Sequence, residues 1–379
     1  MLLAISNQIF LPSYMTHFDH ENLRAYAYIE KDNLLHNLTQ IKMLHPNKKT
    51  IVMLKANGYG HGAVEIAKLL DGRCDYFGVA SIEEGVELRE NGIYQTQIII
   101  FSGFFCAQSS DILIQFQLIP IIHSVYQCAF LTKYFQKSFS EIWLKVNSGM
   151  NRLGLNFEEF NLCYEELSTN TDKSINVLTH LAESESPDRS FTLHQIEAFI
   201  KLIQSKSIKH ISIFNSGATI AYPEDTLSDT IRFGIALYGI NPTPLKRTIT
   251  LKPVMSLHSH VIAIQQVDKG QSIGYNRCFI TKRPSTIAIV SIGYGDGYPQ
   301  TIQNGTPVMI EGEIYPTVGK VSMDLMAVDI TDSLNKVSIG SIVTLFGENL
   351  PIDTVIQQQD ISAYSLLTGI SPRVKRIYI

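Results

Sequence analysis

Through the first two thirds of the chain, apolar residues come in short unbroken runs separated by polar stretches of helical period. TIVMLKA, YFGVAS, QIIIFS, LIPIIHS, EIWLKVN, INVLTHL, HISIFNS and DTIRFGIAL make eight such runs. Runs that are apolar throughout suit parallel strands buried on both faces. Helix-like segments lie between many of them. VEIAKLLDG is one, and FTLHQIEAFIKLIQSK carries apolar residues at helical spacing. SIEEGVELREN opens on Ser81 as an N-cap, with a glutamate three residues on. Eight strand–helix repeats predict an α/β fold of the (β/α)8 TIM-barrel type. A doubly wound sheet is the structural alternative, but no G-x-G-x-x-G turn supports it. AYAYIE, at residues 25–30, precedes the first repeat. It is assigned to another layer, with a second domain as its candidate partner.

Near residue 245 the pattern changes. NPTPLKRTITLKP is proline-rich and reads as a linker. Beyond it come short strands with turn signals: VMSLHSHVIAIQQV, TIAIVSIG, TPVMIEGEIYP, LMAVDI and SIVTLFG. Helical periodicity nearly vanishes, which predicts an all-β domain. The expected layout is an N-terminal extension over 1–23, a barrel over 24–245 and a C-terminal β domain over 246–379.

Composition narrows the function classes. The 379 residues allow one large domain or two medium ones, with 45% hydrophobic and 17% charged residues as in an ordinary folded protein. A formal charge of -4 shows no basic excess, so nucleic acid is not an expected partner. The opening MLLAISNQIF lacks the positive region of a secretory signal, and no stretch approaches the length of a membrane span. Cys74, Cys106, Cys128, Cys163 and Cys278 are odd in number and scattered, without C-x-x-C. That fits reduced thiols in the cytoplasm rather than disulfides or a metal site.

The chemistry concentrates at the ends of the predicted strands. VMLKANGYGHG sets Lys55 at the end of a buried strand, followed by Gly58, Gly60 and Gly62. One reading is a surface lysine before a flexible turn. The other is a desolvated amine able to form a Schiff base, with glycines letting backbone approach a ligand. Ser81, His123, Lys145, His180, Ser216 and Arg232 also end strands, where barrel active sites lie. Singly, His123 and His180 read as satisfied core histidines; together the set resembles a lined pocket. FNSGAT and RFGIALYG follow strands seven and eight, a common phosphate site in barrels. Ser216 offers a hydroxyl there, and Gly234 and Ile235 offer backbone N–H groups. A Schiff-base lysine facing a phosphate cup points to pyridoxal 5′-phosphate.

At this point the chain resembles the alanine racemases that use pyridoxal 5′-phosphate. KANGYGHG, LKVNSGMNRLG, FNSGAT, IRFGIALYG, IGYNR, IGYGDGYP, VGKVSMD and AYSLLTGISPRVKR match family segments in order. The resemblance runs from about residue 24 to the end. It implies that Lys55 holds the cofactor and then acts as a base at the substrate Cα–H. It implies that Tyr275, from the other subunit of a homodimer, is the opposite-face base. A free tyrosine has a pKa of about 10, so nearby positive charge is needed to favour the phenolate. By resemblance, His180 bridges Tyr275 and Arg232, with Arg152 near the phenol. Arg232 matches the residue that contacts the cofactor's pyridine nitrogen. Tyr59, Ser216, Gly234, Ile235 and Tyr364 match phosphate contacts, and Tyr364 also narrows the entrance. Arg152 and the backbone N–H of Met323, the latter from the partner subunit, match contacts to the substrate. Lys145 matches a lysine often carbamylated. Two positions depart from the family: Gln300 and Lys320 stand where entrance arginines are common.

The resemblance therefore implies a cytoplasmic homodimer with shared active sites that interconverts L-alanine and D-alanine for cell-wall peptidoglycan. Three alternatives stand beside it: a racemase of serine or of broader specificity, a related barrel decarboxylase of diamino acids, and a non-enzymatic carrier of the cofactor. Cys278, close after Tyr275, keeps the decarboxylase in view. His61 has no assigned role beyond a structural hydrogen bond.

Overall fold

The computed structural model describes residues 23–379, apart from 107–108, 135–138, 140, 171–173, 224–225, 244–248, 334–336 and 358. Residues 1–22 of the expected extension and the expected junction at 245/246 lie outside the described residues. Strand β1 (Ala25–Ile29) comes first and takes no part in the barrel.

Eight strands follow in alternation with helices: β2 (Lys49–Met53), β3 (Tyr76–Val79), β4 (Gln97–Ile100), β5 (Leu118–Ile122), β6 (Glu141–Lys145), β7 (Ser174–Leu178), β8 (Ile211–Ser212) and β9 (Thr230–Phe233). They pair in the order β8-β7-β6-β5-β4-β3-β2-β9, and every paired neighbour is parallel. Past β8, the Arg232 N–H donates to the Phe214 carbonyl at 3.1 Å and joins the two ends of the row. The apolar runs explain these strands. Ile98, Ile99 and Ile100 are fully buried, as are Trp143, Phe77 and Phe233. Each such side chain contributes about 1.5–3 kcal/mol by leaving water.

The HISIFNS run yields a ladder of only two residues, for a local reason. The Ile211 N–H is taken by the Asp229 carboxylate at 2.8 Å and the Ile213 N–H by the Ser228 hydroxyl at 3.3 Å. Asn215 then ends the run by capping the helix Ser216–Ala221, its Oδ1 accepting from the Ala218 N–H at 3.1 Å. Side chains thus satisfy donors that would otherwise extend the strand.

The later strands are β10 (Met255–Val267), β11 (Ser272–Ile273), β12 (Phe279–Ile280), β13 (Ser285–Val290), β14 (Pro307–Ile310), β15 (Glu313–Val318), β16 (Met326–Asp329), β17 (Ile342–Phe346) and β18 (Lys375–Tyr378). Eight strands, counting β1, form one sheet in the order β13-β16-β15-β14-β17-β10-β1-β18, and β13 also pairs with β10. AYAYIE therefore lies beside β10 and β18. Along β10, Met255, Leu257, Ser259 and Val261 are buried and alternate with half-buried Ser256, His258 and His260. That period of two is what a sheet with one buried face requires.

By contacts the chain forms two units. Among the described residues, one comprises those up to Ala27, Leu257–Leu345 and Pro372–Ile377; the other comprises Tyr28–Ser256, Phe346–Ser371 and Tyr378–Ile379. Phe346–Ser371, with its short helices Ile352–Ile356 and Ala363–Gly369, groups with the barrel. Leu366 and Leu367 are buried there.

Candidate active site

The turn after β2 is unusual. Ala56, Asn57, Gly58 and Tyr59 all have positive φ, at 52°, 54°, 61° and 53°. A left-handed turn costs a residue with a Cβ about 1–2 kcal/mol, so the surroundings must hold it. Several bonds do. The Gly58 N–H donates to the Leu54 carbonyl at 2.7 Å, and Asn57 Oδ1 accepts from the Ala63 N–H at 2.9 Å. Gly60, at φ 82°, leaves no room for a side chain, because a Cβ there would strike the Leu367 backbone carbonyl. His61 is buried beneath the turn. Its Nδ1 lies 3.1 Å and 2.9 Å from the Gly58 and Tyr59 carbonyls, and its ring stacks on Tyr238 at 4.4 Å. His61, expected to make a structural hydrogen bond, thus secures the turn.

This turn delivers Lys55 into a cavity of about 530 Å³ at the ends of the strands. Lys55, Tyr59, Lys145, Arg152, His180, Ser216, Arg232, Gly234, Ile235 and Tyr364 line it together. Ser81 and His123 do not. Ser81 caps its helix, and His123 lies 2.9 Å from the Ser102 carbonyl through Nε2.

Arg232 is the buried anchor. Its Nη1 donates to Ser212 Oγ at 2.9 Å. Its Nη2 donates to the Thr179 carbonyl at 2.9 Å and to His180 Nδ1 at 3.0 Å. The Phe101 ring lies 5.9 Å from the guanidinium. Burial pulls Arg232 down to about 10, still cationic at neutral pH. Burial, then the Arg232 charge, push His180 down to about 2, so the imidazole is neutral. Lys145 is buried, and burial followed by the charges of Arg232 and Arg152 lowers it to about 8. Lys55 is open to the cavity but hemmed in by its walls. That enclosure, then Arg152 and Arg232, lower its pKa, opposed by Glu84.

A second cluster sits at Gly234. Its N–H donates to Ser216 Oγ at 2.9 Å, and the Ala236 N–H approaches the same oxygen at 3.5 Å. The Tyr59 hydroxyl packs so closely on Gly234 that a Cβ there would collide with it. Burial raises Tyr59 to about 12 and raises Tyr364 as well, so both phenols are protonated donors. A hydroxyl, two phenols and backbone N–H groups suit a phosphate. A reactive amine lies in the same cavity. The residues present therefore fit pyridoxal 5′-phosphate.

Tyr275 and Met323 belong to the other unit, where they are 66% and 54% exposed. Gln300 is exposed and Lys320 half-buried in that unit. The Met323 segment is held from one side: the Tyr294 and Gly295 N–H groups donate to the Ser322 and Met323 carbonyls at 3.0 and 2.8 Å. Fully buried Asp296 takes ion pairs from Arg24 and Arg373 next to them. Sequence reasoning had not singled out Phe101, Thr179, Ser212 or Glu84. Of these only Glu84 left a sequence signal, the Ser-x-x-Glu spacing.

Two family models match the chain: alanine racemase, N-terminal domain, over residues 29–242, and alanine racemase, C-terminal domain, over residues 254–378. An alanine racemase from Coxiella burnetii is 41% identical over 365 residues, 94% of this chain and 99% of its own length. One from Legionella pneumophila is 38% identical, covering 92% of this chain and 97% of its own. The crystal structure of the biosynthetic alanine racemase from Pseudomonas aeruginosa superposes with a TM-score of 0.88 at 33% identity, covering 94% and 99% of the two chains. The alanine racemase from Bartonella henselae, solved with covalently bound pyridoxal phosphate, gives 0.87 at 31% identity over the same shares.

Proposed function

Because the chain belongs to the alanine racemase family, we propose that this enzyme, an amino-acid racemase, interconverts L-alanine and D-alanine and so supplies D-alanine for cell-wall peptide. The observation that carries the reading is the shared cavity in which Lys55, His180, Arg232 and the Ser216–Gly234 cradle converge. Pyridoxal 5′-phosphate, when bound, supplies the electron sink that makes an α-proton removable. Lys55 would attach it, Tyr59, Ser216, Gly234, Ile235 and Tyr364 would hold its phosphate, and Arg232 would donate to its ring nitrogen. As a permanent donor that gives up no proton, Arg232 would leave that nitrogen unprotonated and so disfavour transamination.

Two proton-transfer groups are needed, one on each side of the substrate Cα. Lys55 is the first: its lowered pKa gives it a larger neutral fraction than a free lysine. Tyr275 is the second, contributed by the partner in a homodimer; its large exposure supports a residue waiting for that partner. Met323, also from the partner, offers its backbone N–H to the substrate carboxylate, and Arg152 the opposite charge. Carbamylation of Lys145 would turn a cation into an anion beside Arg152. Among the described residues, no helix is long and apolar enough to cross a membrane. We place the enzyme in the cytoplasm, with boundaries near 24–245 and 246–379 for the catalytic halves.

A second reading has one observation behind it. Glu183 and Glu185 line the same cavity, and carboxylates would welcome a distal ammonium. Racemisation or decarboxylation of ornithine or lysine would draw on them. The purified, cofactor-loaded chain supplied with L-alanine and a D-amino-acid oxidase couple should generate D-alanine and lose that activity in Lys55→Ala. Turnover of ornithine or lysine with none of alanine would favour the second reading.

A further inference from the structure

Glu84 binds two loops of the barrel together at the reactive lysine. It sits in the helix Ile82–Glu90, capped by Ser81, whose hydroxyl accepts from the Glu84 N–H at 3.4 Å. A capping-box glutamate returns its side chain to the N-cap N–H. Here the carboxylate instead spans two strand ends. Its Oε2 accepts from the Ala80 N–H at 2.7 Å, and its Oε1 accepts from the Ala56 N–H at 2.7 Å. Ala80 follows β3 and lines the cavity; Ala56 follows Lys55 and opens the left-handed turn. The strands that carry these loops pair just before them, where the Leu54 N–H donates to the Gly78 carbonyl at 2.8 Å.

Charge-assisted bonds to backbone N–H groups are about twice as strong as neutral ones. The one from Ala56 offsets part of the strain in Ala56 and Asn57, and the one from Ala80 anchors the carboxylate to the end of β3. The charge also matters. Arg152, Arg232 and Lys145 place positive charge around the Lys55 amine, and His180 beside them is neutral. Glu84 is the carboxylate that acts on Lys55 in the opposite sense.

We propose that Glu84 is a positioning residue for Lys55: its carboxylate ties the left-handed turn to the end of β3 through the Ala56 and Ala80 N–H groups and so keeps a negative charge on the residue next to the lysine. The proposal rests on the assignment of Lys55 as the reacting amine. Its test reads Lys55 directly, so it can fail while that assignment stands.

The full chain, cleared of cofactor, would be labelled with trinitrobenzenesulfonate across a pH series. The peptide carrying Lys55 would then be quantified by mass spectrometry. In Glu84→Gln, the charge is gone and one of the two N–H groups loses its acceptor. The Lys55 labelling profile should move to lower pH, with labelling near pH 8 roughly threefold or more faster than wild type. Glu84→Asp keeps the charge on a shorter stem and should return the profile toward wild type; it also carries the test should Glu84→Gln fail to fold. Ser81→Ala removes only the helix cap and should leave the profile in place. Superimposable Lys55 profiles for wild type and the folded Glu84 variants would overturn the proposal, as would an equal shift in Ser81→Ala.

Discussion

Arg232 donates to His180 Nδ1 at 3.0 Å, and this one bond fixes the state of the imidazole. A guanidinium has no acceptor, so Nδ1 must carry a lone pair and the ring proton sits on Nε2. His180 is therefore a neutral donor in the cavity, held by a cation that itself bonds to Thr179 and Ser212.

That state is visible to nitrogen NMR. The wild-type His180 ring should show the Nε2–H tautomer with no titration between pH 5 and 8. Arg232→Gln removes one cause of the low pKa, and the His180 titration should move upward. Arg232→Glu should slow racemisation, on the order of 10²-fold, and raise the share of transamination products. A wild-type ring titrating near 6.5, or unchanged partitioning in Arg232→Glu, would count against these roles.

The same imidazole ties stability to acid. Unfolded, it takes a proton below about 6.5; folded, only near 2. Its contribution is complete above the unfolded value and is lost as pH falls through that window. One proton gives a slope of up to about 1.4 kcal/mol per pH unit. Urea unfolding at pH 7 and pH 5 should show a larger loss in wild type than in His180→Gln. Equal losses would mean that His180 is protonated in the folded protein.

Lys145, lowered to about 8, has a much larger neutral fraction near neutral pH than a free lysine and lines the same cavity as Arg152, which makes it a candidate to add carbon dioxide. Carbon-13 bicarbonate should give a carbamate resonance that Lys145→Met abolishes. In that variant turnover should fall about tenfold or more as Arg152 loses its counter-charge. No resonance at any bicarbonate concentration would leave Lys145 an uncompensated buried amine.

How much of this was legible beforehand depends on how local the cause is. The eight apolar runs all became barrel strands, and Ser81 became the cap its spacing foretold, because burial and capping act within a few residues. HISIFNS overstated its strand because Asp229 and Ser228, far along the chain, take its donors. The left-handed Ala56 and Asn57 were hidden, since neither residue type demands positive φ. Phe346–Ser371 joined the barrel unit through Leu366 and Leu367, a tertiary fact with no periodic signature. Tyr275 had no mark apart from its family segment: an exposed tyrosine on a β unit is ordinary until another chain is considered.

Gly60 tests the left-handed turn as a structural unit. Gly60→Ala would put a Cβ against the Leu367 carbonyl at a φ of 82°, so both backbones must shift. A loss of about 2 kcal/mol or more in unfolding free energy is expected, with slower cofactor loading. Wild-type stability in Gly60→Ala would show that the turn and the Leu367 segment are not packed as described.

We propose a two-sided proton exchange in which Lys55 serves one face of the substrate and Tyr275 the other. The cofactor-loaded protein would be incubated with L-alanine in D2O, and D-alanine and α-deuterium followed together. D-alanine carrying α-deuterium is expected, and its formation should be abolished in Lys55→Ala and in Tyr275→Phe. Undiminished formation of labelled D-alanine by Tyr275→Phe would contradict it.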